Sequence, residues 1–303
     1  MKDHWEQIGI ASYTQDGCRK TSVISYTRLA YFRDWIDESL ENGNDTIEEI
    51  PVTATVPPTT EKPARIFQCD RNTVPCGCGR RNVRLSSQNS TESVAHSWST
   101  IVSIRLNNQT KHSCTGTILS ESFILTSASC LVNASTFGIM IRASLHNSSD
   151  ENAIVRRVDR IYFHPQYQGF QINENKHDIA ILHLTEELIF ENNLFLNRIC
   201  LPERFIFLPD STFYPQLGAS LVTVGWGLMN CPTNNQQDLL QQIEVTVQDG
   251  SQSNCYVLNE NHAIQFCASL NKTESGKRKI LILKIDKYKI FSLFCFIDTC
   301  VRM

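Results

Sequence analysis

No stretch of this sequence is apolar for long enough to cross a bilayer as a helix. Such a span needs about 20 mostly apolar residues. The most apolar run near the C-terminus, Ile290 to Ile297, is short, and Lys284, Asp286, Lys287 and Lys289 precede it. An apolar leader core is also missing, because the chain opens Met1-Lys2-Asp3-His4-Trp5-Glu6. There is no basic run. Lys and Arg number 28 against 31 Asp and Glu, for a formal charge of −3, which gives no reason to invoke nucleic acid. Cys76-Gly77-Cys78 has no second Cys or His pair at zinc-finger spacing. No metal and no cofactor is therefore expected.

What the sequence does hold is cysteine, 12 among 303 residues. That is many for a reducing compartment, and it points to a disulfide framework in an oxidising one. Asn-x-Ser/Thr sequons at Asn44, Asn89, Asn108, Asn133, Asn147 and Asn271 agree. The expectation is a secreted glycoprotein whose start lies further upstream, with extracellular protein or peptide ligands and no membrane span. Apolar residues make up 41% of the chain, enough for a packed core. The length suits one large domain or two ordinary ones.

Taken in order, Trp5 to Tyr13 alternates like a strand. Asp16-Gly17-Cys18 is a turn, and Leu29 to Ile36 spaces its large apolar groups like one helix face. Residues 42 to 68 form a Pro/Thr-rich linker around Val52-Thr53-Ala54-Thr55-Val56-Pro57-Pro58, expected to be extended and mobile. Strand patterns follow at Ser97 to Arg105, Cys114 to Ile118, Ile154 to Phe163, Ala219 to Trp226 and Leu240 to Val247. Short strands with regular turn signals indicate an all-β sandwich or barrel. From residue 275 the composition shifts to Lys, Ile and Phe. This tail matches nothing before it and is expected to be translated non-coding sequence, such as a retained intron.

Four motifs carry chemical information. Leu125-Thr126-Ser127-Ala128-Ser129-Cys130 follows a short apolar strand, with Cys114 upstream in His112-Ser113-Cys114-Thr115-Gly116-Thr117. Asp178-Ile179-Ala180-Ile181-Leu182, Ile199-Cys200-Leu201-Pro202 and Gly225-Trp226-Gly227 come later. In this order and spacing they resemble the trypsin-like serine proteases, over residues 1 to 41 and about 69 to 270. The resemblance implies an all-β fold of two six-stranded β-barrels with the active site between them. It makes residues 69–274 a truncated peptidase domain with an incomplete second barrel. Residues 1–41, which carry a helix at 29–40, look like the end of such a domain. Since the linker can span up to roughly 90 Å, two arrangements stand open. The N-terminal fragment completes the second barrel in permuted order, or it is the loose end of a tandem protease.

The chemistry of that family needs a nucleophilic serine, a histidine base and a buried aspartate that orients the histidine. Asp178 matches the aspartate. Ser129 stands where the histidine belongs, and a hydroxyl cannot serve as a base near neutral pH. His112, His177 and His183 are near in sequence but none holds the motif position. The Gly-Asp-Ser-Gly-Gly-Pro loop, which would follow the cysteine matched by Cys267 and supply nucleophile and oxyanion hole, does not occur. The region matching the activation site, Ser86 to Glu92, has no Arg or Lys to cleave after. Thr14 and Ile24 (or its neighbour) replace glycines of the pocket wall, where side chains would crowd the pocket. Losing base and nucleophile should cost on the order of 10⁶ in turnover.

The resemblance also implies disulfides Cys114–Cys130 and Cys255–Cys267, and one from Cys200 to Cys76 or Cys78 with Cys69 taking the other. Cys18 is then left unpaired, and Cys231, Cys295 and Cys300 have no family partner. By family the chain is a serine endopeptidase, but as written it is expected to be inactive. The alternatives are a non-catalytic secreted binding or regulatory homologue, or a broken reading of a gene for an active tandem protease.

Overall fold

The structure is a computed structural model that describes residues 4–14, 23–43, 65–70, 72, 74–85, 91–169, 176–204, 214–226, 238–249, 263–269 and 290–293. Its N-terminal part contributes strands β1 (Glu6–Thr14) and β2 (Val23–Arg28), then helix α1 (Arg33–Glu41). The helix begins later than its apolar spacing suggested. Leu29 to Phe32 instead form tight turns, with Tyr31 N–H donating to Arg28 O and Phe32 N–H to Leu29 O. One short pair follows, β3 (Arg65–Phe67) with β4 (Val83–Leu85), and then the two-residue strand β5 (Thr91–Glu92).

Six strands next build a closed barrel: β6 (Ile101–Arg105), β7 (Cys114–Ile118), β8 (Phe123–Thr126), β9 (Met140–Ala143), β10 (Ile154–Phe163) and β11 (Ala180–Leu184), in the order β10-β11-β8-β7-β6-β9. The Ser97–Arg105 stretch is strand only from Ile101, and the four residues before it are turns and coil. Side-chain alternation explains why β8 is buried throughout. Ile124 packs in one apolar cluster with Ile104, Ile141 and Leu182, while Phe123 and Leu125 pack in another with Ile179 and Ile181. A strand with period-two side chains thus serves two cores. Gly116 is required by this packing, since a Cβ there would lie 2.7 Å from Ile124 Cγ2.

The remaining strands are β12 (Ser220–Gly225), β13 (Gln241–Gln248), β14 (Gln265–Ser269) and β15 (Ile290–Leu293). They combine with the N-terminal strands in one seven-stranded sheet of order β12-β15-β1-β2-β14-β13-β5. Because β12 also pairs with β13, the sheet curls back on itself. All its pairings are antiparallel except those of β15, which runs parallel to both β1 and β12. Thus four residues of the C-terminal tail enter the sheet. The fold is all-β with a single described helix, a closed barrel and a curled sheet, as a trypsin-like double barrel requires.

The largest apolar cluster draws on both halves: Trp5, Phe32 and Ile36 from the N-terminal part, Phe123 and Ile179 from the barrel, and Trp226 at the end of β12. No described helix is long and apolar enough to cross a membrane. Disulfides Cys69–Cys78, Cys76–Cys200 and Cys114–Cys130 tie loops to this framework, and Cys267 is also disulfide-bonded. Cys18, Cys231, Cys255, Cys295 and Cys300 lie outside the described residues.

Candidate active site

Asp178 is fully buried, two residues before β11. The turn that holds it is strained at His177, whose φ is 57°, a left-handed conformation uncommon for a non-glycine residue. Ser129 approaches from the other side. It opens a short 3₁₀ turn, Ser129–Leu131, after β8. Its backbone N–H donates to Asp178 Oδ1 at 2.7 Å and its hydroxyl to Oδ2 at 2.8 Å. Cys130, next in sequence, is anchored to Cys114 on β7. The disulfide and the 3₁₀ turn together fix Ser129 against the carboxylate.

Two further residues meet Asp178, both from the N-terminal strands. Ser12 on β1 donates its hydroxyl to Oδ2 at 2.5 Å. Thr27 on β2 donates its hydroxyl to the Asp178 carbonyl at 3.0 Å. Neither was singled out in the sequence. Ser12 is 166 positions from Asp178, so only the strand pairing brings them together.

Burial pushes the Asp178 carboxyl above its ordinary pKa, against the opposing pull of the hydrogen bonds from Ser12 and Ser129. Desolvation therefore outweighs the Ser12 hydroxyl, the Ser129 hydroxyl and backbone N–H, and the Ala128 backbone N–H, all of which favour the charged form. Among the described residues no imidazole hydrogen-bonds to Asp178. His112 is buried elsewhere, between Ser103 Oγ at 2.8 Å and Thr115 Oγ1 at 3.4 Å, and burial holds its pKa down at about 3. His183 pairs with Asp159 at 2.6 Å.

His177 stacks on His164 with ring centroids 4.9 Å apart, and Phe32 meets both rings edge-on. Trp35 meets His164 as well. Burial, then the neighbouring imidazole, lowers His164 to about 4, and burial also lowers His177. A histidine with a depressed folded pKa binds fewer protons in the native state. Its contribution is present at neutral pH and lost as pH falls from the ordinary 6.5 toward about 4. His164→Gln should therefore flatten the acid side of a thermal-stability profile between those values. An unchanged profile would show that the stacked rings are uncoupled from folding.

Other residues singled out in the sequence fall away from the carboxylate. Thr14 and Ile24 face one another in the β1–β2 register, and Ile24 packs partly buried beside the Tyr26–Phe266 cluster. Asn108 and Asn133 are exposed, both with positive φ. Asn147 is half-buried and accepts from Ser149 N–H at 2.8 Å. Asn44, Asn89 and Asn271 lie outside the described residues. Among the described residues no group of His, Cys, Asp or Glu is arranged to hold a metal.

A closed barrel and a curled, mostly antiparallel sheet that meet around one buried aspartate define the class of the trypsin-like double-barrel proteins. The family model described as Trypsin matches residues 88–277, and the chain belongs to that family. It is 29% identical over 185 residues to CLIP domain-containing serine protease B15 of Anopheles gambiae, covering 56% of this chain and 49% of that one. It is 31% identical over 153 residues to Trypsin alpha of Drosophila melanogaster, covering 50% and 53%. With Ovochymase of Halocynthia roretzi it shares 27% over 199 residues, 64% of this chain and 12% of that one. The chain therefore spans about half the length, or less, of these relatives.

Proposed function

We propose that this chain is a non-catalytic, secreted member of the trypsin family that binds an extracellular protein or peptide. One observation carries the reading. The buried carboxylate that should orient a histidine base is occupied by the hydroxyls of Ser12 and Ser129. A serine hydroxyl cannot take a proton from a nucleophile at neutral pH, whereas an imidazole with pKa near 6.5 can. Asp178 is in this reading the retained triad aspartate, reduced to a structural role. The relatives named as proteases support the ancestry, and the disulfides and the exposed Asn108 and Asn133 side chains favour a secreted glycoprotein.

Purified chain should therefore hydrolyse no fluorogenic Arg, Lys or aromatic peptide above a heat-treated blank. It should also take no label from a serine-directed fluorophosphonate. Ser129→His should leave both results unchanged, because the nucleophile loop is not restored. Specific hydrolysis by the unaltered chain would overturn the proposal.

A further inference from the structure

Strands β1 and β2 and helix α1 join the body of the chain through backbone pairing as well as side-chain packing. Strand β2 pairs with β14 along its length, from Val23 against Ser269 to Thr27 against Gln265. Beyond the sheet, Trp5 N–H donates to Gly77 O at 3.1 Å, Gln7 N–H to Cys200 O at 2.9 Å and Arg28 N–H to Ile264 O at 2.8 Å. Gly77 permits the first of these. A Cβ there would lie 2.1 Å from Trp5 O, and its φ is 74°. Helix α1 is pinned by Arg33, which donates to Pro202 O at 2.7 Å, and by Arg204, which bridges Asp34 and Asp37. Ile10, Leu29, Phe32, Ile36 and Leu40 are all 2% exposed or less, in a cluster shared with the barrel.

We propose that residues 4–43 are a docked partner of the rest of the same chain. They complete the second sheet in permuted order, by contacts that need no covalent continuity through residues 44–64. This docking is independent of whether the site is catalytic. Without this segment the β14 edge would lose its ladder partner, and Asp178 would lose the Ser12 and Thr27 hydroxyls. Unpaired buried backbone and carboxylate groups make such a state unfavourable. A partner supplied in cis is also at high effective concentration. The occupant proposed is the chain's own segment, because a 21-residue connection can reach up to roughly 70 Å; a segment supplied by a second copy is the alternative that the test separates.

The test uses the full chain with a site-specific protease sequence placed within residues 44–64, in a Cys18→Ser background so that Cys18 cannot hold the pieces together. After cleavage the two pieces should co-elute in size exclusion at the mass of the uncut chain. Addition of Leu29→Asp should separate them. Before cleavage, amides of residues 24–27 should be as protected from hydrogen exchange as those of 115–118, within about tenfold. Separation of the cut pieces while the barrel amides stay protected would overturn the proposal. So would an uncut chain that elutes as an exchanged dimer, or residues 24–27 exchanging freely in the intact protein. The exchange measurement stands even where a variant fails to fold.

Discussion

Asp178→Ala should destabilise the protein by roughly 3–4 kcal/mol, and most at acid pH. The carboxylate accepts the Ser12 hydroxyl, the Ser129 hydroxyl and the Ser129 backbone N–H. The hydroxyls can rotate, and Ser129 Oγ already lies 3.3 Å from Ser127 Oγ. The backbone N–H cannot, and an orphaned buried donor costs about 1–3 kcal/mol. The cavity left by the side chain adds to this. Against these losses stands one gain, because a buried carboxylate with a raised pKa is itself unfavourable when ionised. A raised folded pKa means that the native state holds its proton longer than the unfolded chain. The stabilising contribution is therefore full below the ordinary value of 3.8 and shrinks as pH rises through the folded pKa. Asp178→Asn keeps an acceptor for the Ser129 N–H and carries no charge. It should be near wild type at acid pH and gain on wild type as pH rises. Denaturant unfolding of the three proteins from pH 3.5 to 7.5 measures both effects. A loss under about 1 kcal/mol for the alanine variant, or wild type gaining on the asparagine variant with rising pH, would refute the assigned role.

This site also shows where the sequence stops being legible. The fold class could be read, because five of the six strands of the closed barrel carry a recognisable local pattern, whereas β9 (Met140–Ala143) carries none. Leu125 to Cys130 and Asp178 to Leu182 announce themselves within a few residues. Their register, Thr126 against Ala180, follows once both are strands. Ser12 is different. Nothing around it separates it from any other strand serine, and its role exists only because β1 crosses to the barrel. The alternation of Trp5 to Tyr13 was readable as a strand but not its environment. His4 to Ser12 are buried on both faces, with Glu6 accepting from the Tyr214 hydroxyl and Gln7 N–H bonding Cys200 O. A one-face-wet strand and a two-face-buried strand with polar partners give the same short pattern. The tail offers the same lesson. Ile290 to Leu293 is apolar enough for a strand, but its parallel place between β1 and β12 depends on partners that are distant in sequence.

The second large effect should come from the Cys76–Cys200 disulfide, at about 5 kcal/mol of folding stability for Cys76→Ala with Cys200→Ala. The cysteines are 124 residues apart, and the nested Cys114–Cys130 bridge closes a separation of 16. In the chain-entropy account a cross-link stabilises by restricting the unfolded chain, and the effect grows with the logarithm of loop length. That puts the short bridge near 3 kcal/mol and the long one about 2 kcal/mol higher. The long bridge has a second consequence that loop length does not capture. Gly77 N–H donates to Arg198 O at 2.8 Å and Asn197 Nδ2 to Cys78 O at 2.9 Å, so the 76–78 arm lies along the 197–200 segment. Strand β1 attaches to both, through Gly77 O and Cys200 O. Releasing the bridge should therefore loosen the seat of β1 before it loosens the closed barrel. Equilibrium unfolding should rank the Cys76/Cys200 variant below the Cys114/Cys130 variant. In hydrogen exchange, Gln7 and its neighbours should lose protection while residues 115–118 keep theirs. A reversed stability order would overturn the loop-length account, and uniform loss of protection across both sheets would show that this bridge does not act on the docking of the N-terminal strand.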